Sequence, residues 1–501
     1  MHTCLIIDFG SQVTKLIARR VREMNVYSII VPPHKAIESI TAETKCIILS
    51  GSPCSVIDKN HPSIDKNIFE IGLPVLGICY GQQLMVKILG GNVENHGKRE
   101  FGKSTLEVST KNSFIAKKST VWMSHGDCVT QLPQGFEILA HTQNAPFAVV
   151  ANQQRKFYGI QFHPEVTHTQ NGKEMLKHFV VDISGCKQEW TMKRYKNESI
   201  ALIKSQIGNK IAICGLSGGV DSAVAARLVA EAIGKKLICV LVDTGLLRKG
   251  EVEQIKATFP HLNIIDAKDR FFKELEGVSD PEKKRKVIGR LFIEYFQEFA
   301  KSHKEADFLV QGTIYPDVIE SANIDGLAQT IKSHHNVGGL PDDMHLQLCE
   351  PLRELFKDEV RLLGEELNME KTVIYRHPFP GPGLGIRVLG EVLQDKVKIL
   401  QDADKIYIDF LHEKGLYTNI WQAFAVLLPC KTVGVMGDSR TYEFVLALRA
   451  ITSEDGMTAQ VYPFQMEDLL EVSTRIINNV SGINRVTYDI TSKPPATIEW
   501  E

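Results

Sequence analysis

Leu216-Ser217-Gly218-Gly219-Val220-Asp221-Ser222 follows an apolar run over residues 211–215 and precedes a helical pattern over 223–233 that stops at Gly234. That order predicts a strand, a tight turn and a helix N-terminus. Adjacent glycines let backbone approach an anion with no Cβ in the way, and the first amides of a helix have no intrahelical partner. Ser217 and Ser222 add hydroxyl donors, so residues 217–222 read as a phosphate cradle. The Gly-Lys-Ser/Thr of the common nucleotide loop, whose lysine reaches the β- and γ-phosphates, is missing. A different cut in a triphosphate is therefore expected.

Working outward, 501 residues predict roughly three domains. The chain is 43% apolar and 24% charged with net charge −2, which argues against nucleic acid as the main ligand. No apolar run approaches the roughly 20 residues of a membrane helix. Met1-His2-Thr3-Cys4-Leu5-Ile6-Ile7 lacks the basic start and cleavage site of a signal peptide. A cytoplasmic protein with neither a membrane nor a nucleic-acid partner is expected. Ten cysteines without a Cys-x-x-Cys pair suggest neither a zinc site nor a disulfide framework.

In the first third, residues 4–8, 46–50 and 74–78 are short apolar runs ending in Gly, Ser or Asp. Buried strands alternating with helices imply a parallel sheet with ligands beyond the strand carboxyl ends. Gly77-Ile78-Cys79-Tyr80-Gly81-Gln82-Gln83 permits a sharp strand-to-helix elbow that places the Cys79 sulfur at a helix N-terminus, where negative charge is favoured. A nucleophilic cysteine needs a base that another group orients. Phe162-His163-Pro164-Glu165, after a strand over 157–161, supplies both. Cys4, Cys46 and Cys214 read as small buried hydrophobes, while His125 is balanced between a structural role and substrate contact.

Further on, a run over 237–242 ends in Asp243-Thr244-Gly245, again polar residues after a buried strand. Asp317 and Glu320 share a face if helical, and as hard oxygen ligands they are candidates for Mg²⁺ on a pyrophosphate. Asp280-Pro281-Glu282-Lys283-Lys284-Arg285-Lys286 reads as a capped helix start with a solvated basic face. Lys332, in a Gly- and Pro-bearing stretch resembling a lid, and Lys357 are candidates for neutralising the triphosphate. Arg376-His377-Pro378-Phe379-Pro380-Gly381-Pro382-Gly383-Leu384-Gly385-Ile386-Arg387 reads as a rigid loop at a domain boundary. A small mixed α/β domain follows, and the Pro-anchored tail Lys493-Pro494-Pro495-Ala496-Thr497-Ile498-Glu499-Trp500-Glu501 suggests docking rather than fraying.

The motifs at Cys79 and at 159–165 resemble class I glutamine amidotransferases, and 217–222 resembles the pyrophosphate loop of N-type ATP pyrophosphatases. With the Pro-rich loop and the tail, the whole chain resembles the GMP synthase family. The resemblance implies a flavodoxin-like amidotransferase domain over 1–188, a Rossmann-like ATP pyrophosphatase domain of the adenine-nucleotide alpha-hydrolase type over 189–376, and a small α/β dimerisation domain over 377–501. It implies Cys79 as nucleophile, His163 as proton carrier and Glu165 as its support, with Gly51 and Gly81 at the oxyanion and Gln83 and Asp127 at the glutamine. ATP would be held by Ser217, Gly218, Gly219, Val220, Asp221, Ser222 and Asp243, and XMP by Arg387, Lys493 and Glu499. The implied substrates are XMP, ATP with Mg²⁺, and glutamine, in a homodimer. NAD synthetase, asparagine synthetase and tRNA-modifying pyrophosphatases are rivals for the loop alone, and a non-catalytic nucleotide sensor has no use for Cys79.

Overall fold

The computed structural model describes all residues except 96–98, 111, 116, 323–345, 454–455 and 457. The chain divides into two compact units, Met1–Tyr195 and Lys196–Glu501.

In the first unit the expected strands form at Thr3–Ile7, Thr44–Leu49, Val75–Ile78 and Phe157–Ile160. With Tyr27–Val31 they make five parallel neighbours of a nine-stranded sheet. The parallel sheet expected from the runs at 4–8, 46–50 and 74–78 is present, and the full sheet is larger than those runs. Val149–Asn152, Glu137–His141, Glu100–Val108 and Ser119–His125 extend it antiparallel. The two outermost, Glu100–Val108 and Ser119–His125, alternate buried with more exposed residues, as a sheet with one solvated face does. The inner parallel strands are buried, as at Thr3–Ile7 and Val75–Ile78, while the edge strand Tyr27–Val31 is half-buried. Pairing of Gly77 with Gly159 and of Ile78 with Ile160 ends two strands side by side, so Cys79 and Gln161 leave the sheet at the same level.

The second unit holds a five-stranded parallel sheet in the order Asn263–Asp266, Leu237–Asp243, Ile211–Gly215, Ala306–Val310, Gln347–Cys349. Strand order reverses direction between Ile211–Gly215 and Ala306–Val310, which is where an open α/β sheet leaves a crevice for ligand. The loops leaving these two strands pack tightly: a Cβ on Gly312 would lie 2.9 Å from the Asp221 carbonyl carbon and the Ser222 nitrogen. Beyond it, Gln422–Met436 and Ser439–Thr452 form a long antiparallel pair, joined by Gln460–Val461 and Ile483–Tyr488. One core serves both sheets, running from Val242, Leu246 and Leu291 through Leu384, Leu400 and Tyr407 to Leu446 and Ile483.

One reading of the basic run needs correction. Asp280 caps helix Pro281–Ser302 as expected, its carboxylate accepting from the Lys283 amide at 2.8 Å. Lys284, however, is fully buried, and Arg285 reaches the backbone of Glu501. The helix turns this stripe inward because Ile288 and Leu291, four and seven residues on, belong to the core.

Candidate active sites

In the first unit Cys79 is the N-cap of helix Tyr80–Ile88, with φ 53° and ψ −106°, a conformation rare for a residue with a Cβ. The elbow holds because its neighbours lack side chains: a Cβ on Gly77 would lie 2.6 Å from the Gln82 nitrogen, and one on Gly81 would collide with the Leu49 carbonyl. The Cys79 amide donates to the Ile160 carbonyl at 2.7 Å, tying the elbow to the neighbouring strand. Cys79 is 6% exposed, and its sulfur lies 3.6 Å from the Ser124 carbonyl and 3.7 Å from Gln161 Nε2.

His163 Nδ1 meets Glu165 Oε1 at 2.8 Å. Burial alone would lower the imidazole's pKa, but the Glu165 carboxylate and the Cys79 thiol more than offset it and hold the ring well above the ordinary histidine value. The stability that the imidazolium contributes is fully present below the ordinary histidine pKa and is lost as pH rises through the raised folded value. Glu165→Gln removes the carboxylate, so the His163 titration, followed by NMR, should move to lower pH.

Around this pair the predicted residues assemble. A Cβ on Gly51 would lie 3.3 Å from His163 Cε1. Gln83 Nε2 donates to the Asp127 carbonyl at 2.8 Å and to Gln161 Oε1 at 3.1 Å. The Asp127 carboxylate accepts from Ser55 Oγ and, at 3.0 Å, from Asn95 Nδ2. His125 is buried between the Asp127 carbonyl at 3.0 Å and Glu100 Oε2 at 3.3 Å.

In the second unit, helix Val220–Ile233 starts three residues earlier than predicted, with Gly219 as N-cap, so Val220, Asp221 and Ser222 form its first turn. Gly218 has φ 75°, a left-handed conformation that favours glycine. Ser217 Oγ lies 3.2 Å from Ser222 Oγ and accepts from the Gly219 amide at 3.3 Å, which ties the turn into a small cup. Lys357, the first residue of helix Lys357–Glu366, reaches Asp221 Oδ2 at 2.5 Å. Lys357 thus meets the loop from across the crevice, while Asp221 Oδ1 is buried with no hydrogen-bond partner. Asp243 is held by the Gly245 amide at 3.1 Å and by Lys268 at 2.9 Å.

Asp317 Oδ2 accepts from the Ile314 amide at 3.1 Å at the start of helix Tyr315–Ala322. The Glu320 side chain and Lys332 lie outside the described residues. Among the described residues no three His, Cys, Asp or Glu side chains gather as a metal cage.

The predicted XMP residues divide. Arg387 and Glu499 come together in a bidentate pair at 2.8 and 3.1 Å, and Gln422 Nε2 adds a donor to Glu499 at 2.7 Å. Arg387 is fully buried, its guanidinium 4.1 Å from the Phe424 ring centre, and its Nη1 has no partner. Lys493 instead donates to the Gly456 carbonyl at 2.8 Å, and its backbone pairs with Ala459.

Sequence reasoning missed three residues. Arg376 donates to the Gly218 carbonyl and to the buried Glu251 carboxylate, bracing the phosphate loop from the Pro-rich stretch. Arg449, fully buried, donates to the Ile498 carbonyl at 2.8 Å, the Thr497 carbonyl at 2.8 Å and Asp489 at 2.6 Å, fixing the tail. A charged residue inside the apolar run 444–451 was the available signal for Arg449. Nothing local marks Glu251 or its partner, 125 residues away.

A family model described as glutamine amidotransferase class-I matches residues 5–183, one described as NAD synthase matches 195–265, and one described as GMP synthase C terminal domain matches 409–500. The NAD synthase match spans the phosphate loop, whereas the flanking matches name the other two modules. A "GMP synthase [glutamine-hydrolyzing]" from Sinorhizobium fredii is 58% identical over 512 residues, covering 100% of this chain and 98% of that protein. Proteins of the same description from Brucella melitensis biotype 2 and Rhizobium etli are also 58% identical, covering 100% and 99% of this chain and 98% of theirs. With both sites assembled on a chain matched along its length, the protein belongs to the glutamine-hydrolysing GMP synthase family.

Proposed function

We propose that this chain converts XMP, ATP, glutamine and water into GMP, AMP, pyrophosphate and glutamate. The observation that carries the reading is the pairing of two built sites on one chain, the elbow nucleophile beside His163 and the lysine-free phosphate loop completed by Lys357.

At the first site Cys79 Sγ attacks the glutamine side-chain carbonyl carbon. His163, steadied by Glu165, takes the thiol proton and delivers it to the departing ammonia. Backbone amides at Gly51 and Gly81 hold the developing oxyanion, and Gln83 and Asp127 orient the glutamine. Water then cleaves the thioester to glutamate and restores the thiol.

At the second site the C2 oxygen of XMP attacks the α-phosphorus of ATP. The bond to the pyrophosphate oxygen breaks, and the leaving group is received by the amides and hydroxyls of 217–222 with Lys357, and Lys332, as counter-charge. Ammonia adds at C2 of adenylyl-XMP and AMP departs, leaving GMP. Mg²⁺ fits this site, since the buried Asp221 Oδ1 is a hard oxygen without a protein partner and such ions keep few carboxylates beside substrate phosphates. When bound it would neutralise pyrophosphate charge, with Asp221 as ligand and Asp317 and Glu320 as further carboxylates. The orphaned Nη1 of Arg387 supports an anionic ligand at the tail, where Lys493 and Glu499 complete the XMP site.

The exposed apolar residues Val433, Val435 and Tyr442 of the long hairpin support a homodimer through the last third. Ten free thiols support a cytoplasmic setting. Chromatographic product analysis with ATP, Mg²⁺, XMP and glutamine should give AMP and GMP in equal amounts. ADP, or no GMP, would overturn the reading.

A further inference from the structure

We propose that Lys284 is a positioning residue for XMP, setting the tail in register with the ATP-cleaving sheet; this rests on the function proposed above. Lys284 is fully buried in the second turn of helix Pro281–Ser302. Its ammonium donates to the Val388 carbonyl at 2.8 Å and to Glu501 Oε2 at 2.5 Å. Glu501 Oε1 accepts from the Gly390 amide at 3.3 Å, and its carbonyl accepts from Arg285 at 2.6 Å. The tail is therefore pinned twice against one short stretch. Arg387 takes Glu499, while Val388 and Gly390 share Lys284 and Glu501.

A lysine and a glutamate withdrawn from water regain in mutual attraction about what desolvation costs them, so apolar side chains of similar volume would hold the fold as well. Burial draws the Lys284 pKa down and pushes that of Glu501 up, as that cost requires. What the ion pair adds is directional. It admits one alignment of residues 499–501, whereas an apolar contact tolerates sliding.

The helix that carries Lys284 also sends Ile288 and Leu291 into the core shared with Val242 and Leu246, at the end of a strand of the five-stranded sheet. The tail is thus indexed to the sheet that bears the phosphate loop. Adenylylation needs that index, because the XMP oxygen must meet the α-phosphorus within roughly 3–3.5 Å.

The test uses the full-length protein with Lys284→Met, Glu501→Gln and the double variant. Each single change should raise KM for XMP at least tenfold while KM for ATP and the glutaminase kcat stay within twofold. The double variant should be no worse than the worse single one, since both members act as a unit. Acrylamide quenching of Trp500, read against a Trp500→Phe background, should increase in Lys284→Met as the tail loosens. If Lys284→Met fails to fold, Glu501→Gln carries the same comparison. An XMP KM within twofold of the parent in both single variants, or effects that multiply in the double, overturns the assignment even if thermal stability falls. A parent protein that makes no GMP from XMP overturns the underlying function instead, and with it any XMP role for Lys284.

Discussion

Cys79→Ala is expected to lower glutamine-driven GMP formation by about four to six orders of magnitude while ammonium-driven GMP formation remains at the parental rate. The size follows from the chemistry. Without Sγ no thioester forms, and the residual oxyanion donors act on a water that nothing positions. Survival with ammonium follows from the placement of the nucleophile in the first unit, while loop 217–222 belongs to the second. The variant should also fold, because the elbow strain at φ 53° is borne by backbone contacts to Ile160 rather than by the sulfur. Coupled assays with glutamine and with ammonium chloride decide it. Loss of both activities would mean that the two units do not divide the reaction in this way.

Asp221→Ala should stop release of AMP and pyrophosphate with either nitrogen source, by at least about a hundredfold. That corresponds to the roughly 3 kcal/mol typical of losing one preorganised charged group in a site. Two losses coincide in this variant. Lys357 loses the carboxylate that aims it across the crevice, and the buried Oδ1 that suits Mg²⁺ disappears. Asp221→Asn keeps the shape and removes only the charge, so an equal loss in both variants assigns the effect to charge. Glutaminase activity measured alone is the control, and ATP cleavage at the parental rate in Asp221→Ala would withdraw the residue from the site.

The strand-turn-helix at 211–233, the Cys79 elbow and the cap at Asp280 were legible because each is a nearest-neighbour matter: a glycine that admits a turn, an apolar run that stops, a carboxylate three residues before an amide. His163 and Glu165 were legible because base and support lie two residues apart. Such features, and the order of the modules, were determined by the sequence alone.

Other facts depended on strand register and on which helix face met the core. The pairing of Ile78 with Ile160 brings Cys79 beside Gln161, and strand order opens the crevice into which Lys357 reaches Asp221. Lys284 reads in sequence as one more solvated base, and it is buried because Ile288 and Leu291 on the same stripe must be. Arg387 and Glu499, both expected at a nucleotide, also pair with each other across 112 residues of chain. Local sequence specifies backbone conformation and chemical type, whereas the partner of a buried charge is set by elements that meet only once the chain has closed on a common core.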